Sequence, residues 1–145
     1  METADVTPDD YLTSLEDEVR ETMVTLDQLI SRAMPERRRV LWQRVFWGGT
    51  DQSIIGYGDI TQTRTKGEDV NWFLVGLANQ KSNCSLYVNA VVDGVYLGQH
   101  YADRLGSAKI GAASIGFRRL ETIDLENLSD LMSRANEVTP PDPEA

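Results

Sequence analysis

The sequence predicts an α+β domain with N-terminal helices, an antiparallel sheet of about five strands, a short helix before the last strand and a C-terminal helix. Three observations predict this class. Long stripes of apolar residues at helical spacing occur near the two ends of the chain. Short β-favouring runs, separated by glycines and turn residues, fill the middle. The two best strand candidates are joined by a short polar connection, which favours an antiparallel hairpin.

Composition limits the classes of protein to consider. The 145 residues, 41% of them hydrophobic and 26% charged, fit one globular domain. The net charge of −9 repels nucleic-acid phosphates, so nucleic acid is not an expected partner. No apolar run is long enough to span a bilayer, and residues 1–5 are acidic where a signal peptide would be basic. Cys84 is the single cysteine, and a cytoplasmic location is therefore predicted.

Two helices are predicted before Pro35, which ends the second. Thr7 and Pro8 have the order of an N-cap and a first-turn proline, which indicates a short first helix. In the longer second helix, apolar residues alternate in spacing between four and three and so form one stripe: Val19, Met23, Leu26, Ile30 and Ala33. Residues 36–52 fit a helix or a loop, and no structure is assigned to them.

The strands are predicted from β-favouring runs. The predicted ranges are 54–57, 60–65, 72–77, 85–92 and 113–118. Before the last strand, Leu97, Tyr101 and Leu105 repeat every four residues, and Gly106 follows where a helix end favours glycine. A short helix is therefore predicted there.

The C-terminal helix begins after Asp124, its predicted N-cap, and is expected to end near Asn136. Its predicted buried stripe is Leu125, Leu128, Met132 and Ala135. The proline-rich acidic segment 139–145 is predicted to be a disordered tail. The domain is therefore expected to span residues 7–138, after a flexible N-terminus of residues 1–6.

The order of these motifs resembles the YdhG-like family of small bacterial proteins, whose function is unknown or loosely assigned. The similar positions are Tyr11, Leu12, Leu15, Glu18, Val19 and Arg20; Ile54 to Gly58; Trp72, Phe73, Val75 and Gly76; Gln80, Lys81, Ser85, Leu86 and Tyr87; and Ala108 to Arg119 with Asp124 and Leu125. The resemblance covers most of the chain. Some family members are described as frataxin-like iron chaperones, a role that implies iron binding through surface carboxylates.

A ligand pocket is predicted between the sheet and the arginines of residues 37–44, because ligand sites combine aromatic walls with a few polar groups. The predicted lining is Trp42, Trp47, Tyr57, Trp72, Lys81 and Tyr87. The same aromatic side chains would otherwise form an ordinary hydrophobic core.

A metal site is the second hypothesis. Asp17, Glu18 and Glu21 are spaced by three and four residues on one helix, and neighbouring carboxylates can share a hard cation such as Fe²⁺. With Asp10 they form the predicted metal site, and iron is the candidate cofactor. Acidic residues near a helix N-terminus also stabilise the helix dipole, which explains the same pattern without a metal.

Catalysis has less support in the sequence. Cys84 and His100 would form a nucleophilic pair only if they lay within hydrogen-bond reach, and a buried cysteine with a surface histidine is the alternative. Residues 56–58 begin a dinucleotide-binding motif but lack its third glycine and its helix. The sequence therefore favours a non-enzymatic domain that binds a small molecule in an aromatic pocket. An iron chaperone and a protein-interaction domain are the alternatives.

Overall fold

A computed structural model of the protein describes residues 2–45, 51–63, 69–80 and 83–143. Within these ranges the chain forms a seven-stranded antiparallel sheet, a separate two-stranded hairpin and four α-helices. The predicted α+β class is therefore confirmed. No helix in the described ranges is long and apolar enough to cross a membrane. The cytoplasmic location stays a prediction.

The large sheet has the strand order β1-β2-β3-β4-β5-β9-β8, with β1 and β8 at its edges, while β6 and β7 form the hairpin. The strands are β1 (Glu2–Thr3), β2 (Arg39–Val45), β3 (Asp51–Thr63), β4 (Asp69–Gln80), β5 (Asn83–Val88), β6 (Val91–Val92), β7 (Val95–Tyr96), β8 (Lys109–Ile110) and β9 (Ser114–Phe117). The strand that precedes the C-terminal helix, β9, is therefore inserted between β5 and β8.

The four helices begin close to where the sequence predicts. They are α1 (Pro8–Thr13), α2 (Asp17–Ala33), α3 (Leu97–His100) and α4 (Leu125–Val138). The Thr7 hydroxyl accepts a hydrogen bond from the Asp10 backbone N–H at 3.1 Å, and the Asp124 carboxylate accepts one from the Asn127 N–H at 3.0 Å. Both predicted N-caps are thus confirmed, and α4 ends at Val138, slightly later than expected.

The structure differs from the predicted strands in several places. The predicted strand 85–92 is divided, because β5 ends at Val88 and residues 91 and 92 form β6 of the separate hairpin. The run 54–57 and residues 60–63 belong to the single strand β3, because Gly58 adopts a φ of 82° inside the strand while the pairing with β4 continues on both sides. Residues 64 and 65 of the second predicted run lie outside the described ranges. The unassigned segment contains β2, where Leu41 and Trp42 are both buried on opposite faces of the sheet. A strand that is apolar on both faces lacks the alternation that identifies strands.

The predicted helix over residues 97–105 is divided in two. The helix α3 ends at His100, and a 3₁₀ turn follows at Ala102–Arg104. Gly106 then adopts a φ of 87°, a left-handed conformation that glycine reaches without strain. The position of the stop was therefore predicted correctly, although the helix before it is not continuous.

The main core lies on one side of the sheet, which we call the helix face. Helices α2 and α4 contribute fully buried residues to it: Met23, Leu26, Ile30, Leu128, Leu131, Met132 and Ala135. The strands contribute every second side chain, among them Leu41, Ile55, Val75, Leu77, Leu86 and Ile115. A second buried cluster, on the opposite or open face, contains only residues from strands. The two faces of the sheet are thus covered differently.

A buried carboxylate joins α2 to the sheet. Asp27 is 8% exposed and accepts hydrogen bonds from the Tyr57 hydroxyl at 2.6 Å and from Nε and Nη2 of Arg39 at 2.8 and 2.9 Å. Burial, and then the neighbouring Asp27 charge, raise the pKa of Tyr57 well above its ordinary value, so this phenol stays protonated and donates. The arrangement fixes α2 against β2 and β3.

The segment after α4, predicted to be a disordered tail, is bound to the domain through residue 143, while residues 144 and 145 lie outside the described ranges. Its partner is Arg37, whose side chain is only 5% exposed. The guanidinium donates to the backbone oxygens of Asn136, Thr139 and Pro140 at 3.0, 2.7 and 2.6 Å. These bonds satisfy carbonyls that the end of a helix leaves without partners.

Asp142 completes this attachment. One of its carboxylate oxygens accepts from Arg37 at 3.2 Å and from the Asp59 backbone N–H at 2.8 Å. The other accepts from the Arg38 N–H at 2.6 Å. Composition alone predicts disorder for such a segment, but the Arg37 guanidinium and the Asp142 carboxylate together hold it against the domain.

We predict that Asp142→Asn lowers the free energy of unfolding by about 1–3 kcal/mol, because it removes hydrogen bonds to a charged acceptor and leaves Arg37 without its counter-charge. The measurement is urea unfolding followed by circular dichroism. Glu21→Gln is the matched control, since it removes one carboxylate from an exposed position in the middle of α2. Equal stability of the two variants would contradict the assignment.

Candidate functional site

An aromatic cluster covers part of the open face. Trp42, Ile54, Phe73 and Ala78 are buried there, with Val40, Trp72 and Tyr87 partly buried around them. The Trp72 ring is stacked on Phe73 with centroids 4.4 Å apart, and the Trp42 ring lies 5.6 Å from that of Trp72. The Tyr87 ring is 6.4 Å from Phe73, at the border of the cluster. These distances are typical of favourable aromatic pairs.

Two glycines make room for these rings. Gly56 on β3 and Gly76 on β4 face each other in the register of the sheet. A Cβ atom on Gly56 would lie 2.5 Å from Nε1 of Trp42, and one on Gly76 would overlap the ring of Phe73. Both glycines are therefore required by the packing of the aromatic cluster.

Beyond Tyr87 the same face forms a groove of about 640 Å³ over β5, β9 and β8. We call it the basic groove because, among the described residues, its charged lining consists of Lys109, Arg118 and Arg119 and contains no acidic side chain. The remaining lining is Asn83, Ser85, Ser107, Gly111, Ser114, Gly116, Phe117 and Thr122. Its volume falls within the range of small-molecule sites.

Gly116 lies at the centre of the groove floor. In the sheet register it is opposite Ser85 on one side and Lys109 on the other, and Ser114 precedes it by two residues on the same face. A Cβ atom built on Gly116 would meet nothing closer than the Lys109 carbonyl oxygen at 4.0 Å. Neither packing nor backbone conformation therefore requires a glycine here, in contrast to Gly56 and Gly76.

The groove cations differ from four arginines of the chain, although Arg32, Arg104 and Arg134 likewise form no ion pair among the described residues. Arg20, Arg37, Arg38 and Arg39 each form an ion pair with an aspartate. Across the described ranges, no such pair is formed by Lys109, Arg118 or Arg119. In a protein with a net charge of −9, the groove is a local positive region whose charges face solvent.

A polar chain connects the aromatic cluster with the groove. The Ser85 hydroxyl donates to Oε1 of Gln80 at 2.9 Å, and Nε2 of Gln80 donates to the Tyr87 hydroxyl at 3.0 Å. Tyr87 is also the register partner of Ser114, a lining residue of the groove. The half-buried Tyr87 therefore stands between the two parts of the open face.

The structure brings together three of the six predicted pocket residues. Trp42, Trp72 and Tyr87 lie in the aromatic cluster of the open face. Tyr57 lies in the core of the helix face and binds Asp27, so the sheet separates it from the others. Trp47 and Lys81 lie outside the described residues. Three of the four arginines expected at the pocket are engaged elsewhere: Arg37 at the C-terminal segment, Arg38 with Asp59 and Arg39 with Asp27. The side chain of Arg44 lies outside the described part of the structure.

The predicted metal residues are exposed on α1 and α2, and Asp17 forms an ion pair with Arg20 at 2.5 Å. Among the residues that the structure describes, no three histidine, cysteine or carboxylate side chains form a group suited to a metal ion. Asp10, Asp17, Glu18 and Glu21 therefore have the arrangement of a solvated acidic helix surface.

Cys84 and His100 have different surroundings. Cys84 is 7% exposed, and its sulfur lies 4.0 Å from that of Met23 in the main core. Nε2 of His100 lies 2.8 Å from the Val92 carbonyl oxygen, in a depression that also contains Asp130. Burial raises the pKa of the Cys84 thiol, which lowers its thiolate fraction and its reactivity.

The groove residues were missed in the sequence, although part of their signal is visible there. Ser114, Gly116 and Arg118 alternate with Ile115 and Phe117, a period-two pattern with a polar face and an apolar face. Lys109 could not be added from sequence, because it joins the site through the pairing of β8 with β9.

We predict that iodoacetamide modifies Cys84 at least about tenfold more slowly in the native protein than in urea, at the same slightly alkaline pH, because burial disfavours the thiolate. Mass spectrometry of the alkylated protein over time gives the two rates. A native rate close to the unfolded one would show an accessible thiol and would revive the nucleophile hypothesis.

The three glycines of the open face should respond differently to substitution by alanine. Gly56→Ala and Gly76→Ala should each lower the free energy of unfolding by about 1–3 kcal/mol, because the added methyl overlaps an aromatic ring. Gly116→Ala should leave it unchanged or raise it by up to about 1 kcal/mol, because the methyl meets open space and alanine restricts the unfolded chain. Thermal and urea unfolding measure all three, and a destabilised Gly116→Ala would contradict the description of the groove floor.

No protein-family model, curated protein or solved structure matches this chain. The resemblance to the YdhG-like family therefore stays a prediction from the residues quoted above. The candidate site is therefore supported by its geometry alone.

Proposed function

We propose that the protein is a non-enzymatic binding module for a small molecule, with its site on the open face of the sheet. The observation that carries this proposal is the basic groove, a depression of ligand size whose central floor residue, Gly116, leaves space that the fold does not use. A glycine inside a strand often marks a place where a ligand approaches the backbone closely. The groove and the border of the aromatic cluster form one continuous binding surface.

The chemistry of this surface supports binding. Ser107 and Ser114 offer hydroxyl groups that donate and accept, Asn83 offers an amide, and the three cations donate only. The Thr122 hydroxyl donates to the Arg119 carbonyl and can accept from a ligand. At the border, Tyr87 presents a ring against which a planar part of a ligand would pack. Ligand sites commonly combine such an apolar wall with a few polar groups that fix orientation.

The rigidity of the floor also favours binding. The floor belongs to β5 and β9, which pair over four residues, and Leu86 and Ile115 anchor it from the helix face. A site built on packed strands keeps its polar groups in place before the ligand arrives, which lowers the entropy cost of binding.

A protein-interaction role is the second candidate, and one observation favours it. Trp72 and Tyr87 are only partly buried, so the border of the aromatic cluster is accessible. Accessible aromatic side chains are typical of protein interfaces. The groove is the stronger feature, because a flat partner surface would not fill it.

The proposal predicts that small molecules bind at the groove and that Gly116→Leu blocks them. In an amide-resolved NMR screen of chemically diverse small metabolites, binders should shift the amides of Ser85, Ser114 and Gly116 in the wild type. The leucine side chain should reduce their affinity at least about tenfold, because it occupies the volume above the floor.

Thr61→Leu is the matched control, since it adds the same side chain at an exposed position of β3 outside the groove lining. It should leave binding unchanged, and circular dichroism should show both variants folded. Binders that tolerate Gly116→Leu would place the site elsewhere. A library without any binder at the groove would contradict the small-molecule function and favour a protein partner.

A further inference from the structure

We infer that the basic groove selects a ligand that carries a phosphate group and seats that group above Gly116. This inference rests on the proposed binding function and names the class of its ligand. Three features carry it: the positions of the cations around Gly116, the absence of acidic residues from the lining, and the space above the strand backbone.

The sheet register places the donors on two sides of the glycine. Lys109 is directly opposite Gly116 on β8, and side chains of directly paired residues project from the same face about 5 Å apart. Arg118 follows Gly116 by two residues, in the bend directly after β9, and it lines the groove. An anion above Gly116 would therefore have a lysine across the sheet and an arginine just beyond the end of the strand.

Ser114 and Arg119 complete the surroundings. Ser114 precedes Gly116 by two residues on the open face and brings a hydroxyl donor. Arg119 lines the end of the groove and adds a third positive charge. Because Gly116 has no side chain, the anion approaches this ring of donors from directly above the backbone.

The number and type of donors favour phosphate over carboxylate. A carboxylate has one negative charge and two oxygens, whereas a phosphate monoester approaches two charges near neutral pH and has three terminal oxygens. Lysine binds phosphate as a point charge, and arginine binds it through two parallel N–H groups. Because the described part of the lining contains no acidic residue, two or three cations are available to bind one anion.

The electrostatics of the whole chain adds selectivity. The net charge of −9 repels anions at most of the surface, so a phosphorylated molecule is attracted only where basic side chains are grouped. The aromatic border lies next to this site, because Tyr87 is paired with Ser114 across β5 and β9. A ligand with its phosphate above Gly116 would extend its organic part toward that ring.

The test compares four probes that share a phenyl ring and differ in charge: phenyl phosphate, benzoate, benzyl alcohol and benzylamine. Each is titrated into the full chain while the amides of Ser85, Ser114 and Gly116 are followed by NMR. Phenyl phosphate should give saturable shifts at these amides and the lowest Kd of the four. Its Kd should rise with ionic strength, because the attraction is between charges near solvent.

Two double variants separate local contacts from the general field. Lys109→Gln with Arg118→Gln should weaken phenyl phosphate at least about tenfold, because it removes two charge-assisted contacts. Arg32→Gln with Arg134→Gln removes the same charge from exposed positions on α2 and α4 and should change the Kd less than about twofold. Unfolding curves confirm that both variants are folded.

The outcomes distinguish this inference from the proposed function. Equal Kd values for benzyl alcohol or benzoate and phenyl phosphate, or equal losses in the two double variants, would overturn the phosphate site while the small-molecule function stands. The same conclusion would follow if phenyl phosphate caused no shift at the groove amides while the metabolite screen found binders there. If neither phenyl phosphate nor any metabolite shifted these amides, both the function and the inference would be overturned.

Discussion

The packing of this protein depends on one constraint: both long helices lie against the same face of the sheet. Helices α2 and α4 bury the helix face of the sheet, and the buried cluster on the open face contains residues from strands alone. Apolar side chains on that face must therefore cover one another. Trp42, Trp72 and Phe73 do so with large flat rings, and Gly56 and Gly76 make the close packing of those rings possible. Among the residues that the structure describes, the aromatic cluster is a core formed by strands alone.

The rings reach only as far as Tyr87, and the sheet continues beyond it through β5, β9 and β8. The residues on that part of the open face are small or basic. Because many of them are smaller than the aromatic rings, they leave a depression beside the aromatic cluster. On the helix face the same strands are anchored by apolar side chains such as Leu86 and Ile115. The sheet thus provides a rigid floor for a site that it does not need for its own stability.

The sequence predicted what depends on local patterns. Helices α2 and α4 were predicted from apolar periodicity. Thr7 and Asp124 were recognised as the N-caps of α1 and α4, because capping involves residues three apart. Strand β2 was missed because it is apolar on both faces. The candidate site depends on pairings between distant residues: Lys109 reaches Gly116 only through the β8–β9 register, and Tyr57 leaves the predicted pocket because its side chain faces α2. Such relations have no local signature.

The glycines show most clearly why the fold had to be known before the site could be argued. Gly56, Gly76 and Gly116 are the same residue in similar strand contexts, and sequence reading treats each as a possible bulge or close approach. Around Gly56 and Gly76 the space is already filled by Trp42 and Phe73, so packing explains them completely. Around Gly116 it is empty and faces unpaired cations among the described residues. Neither packing nor backbone geometry requires a glycine at this position, and this free space beside basic side chains is the basis for the proposed anion site.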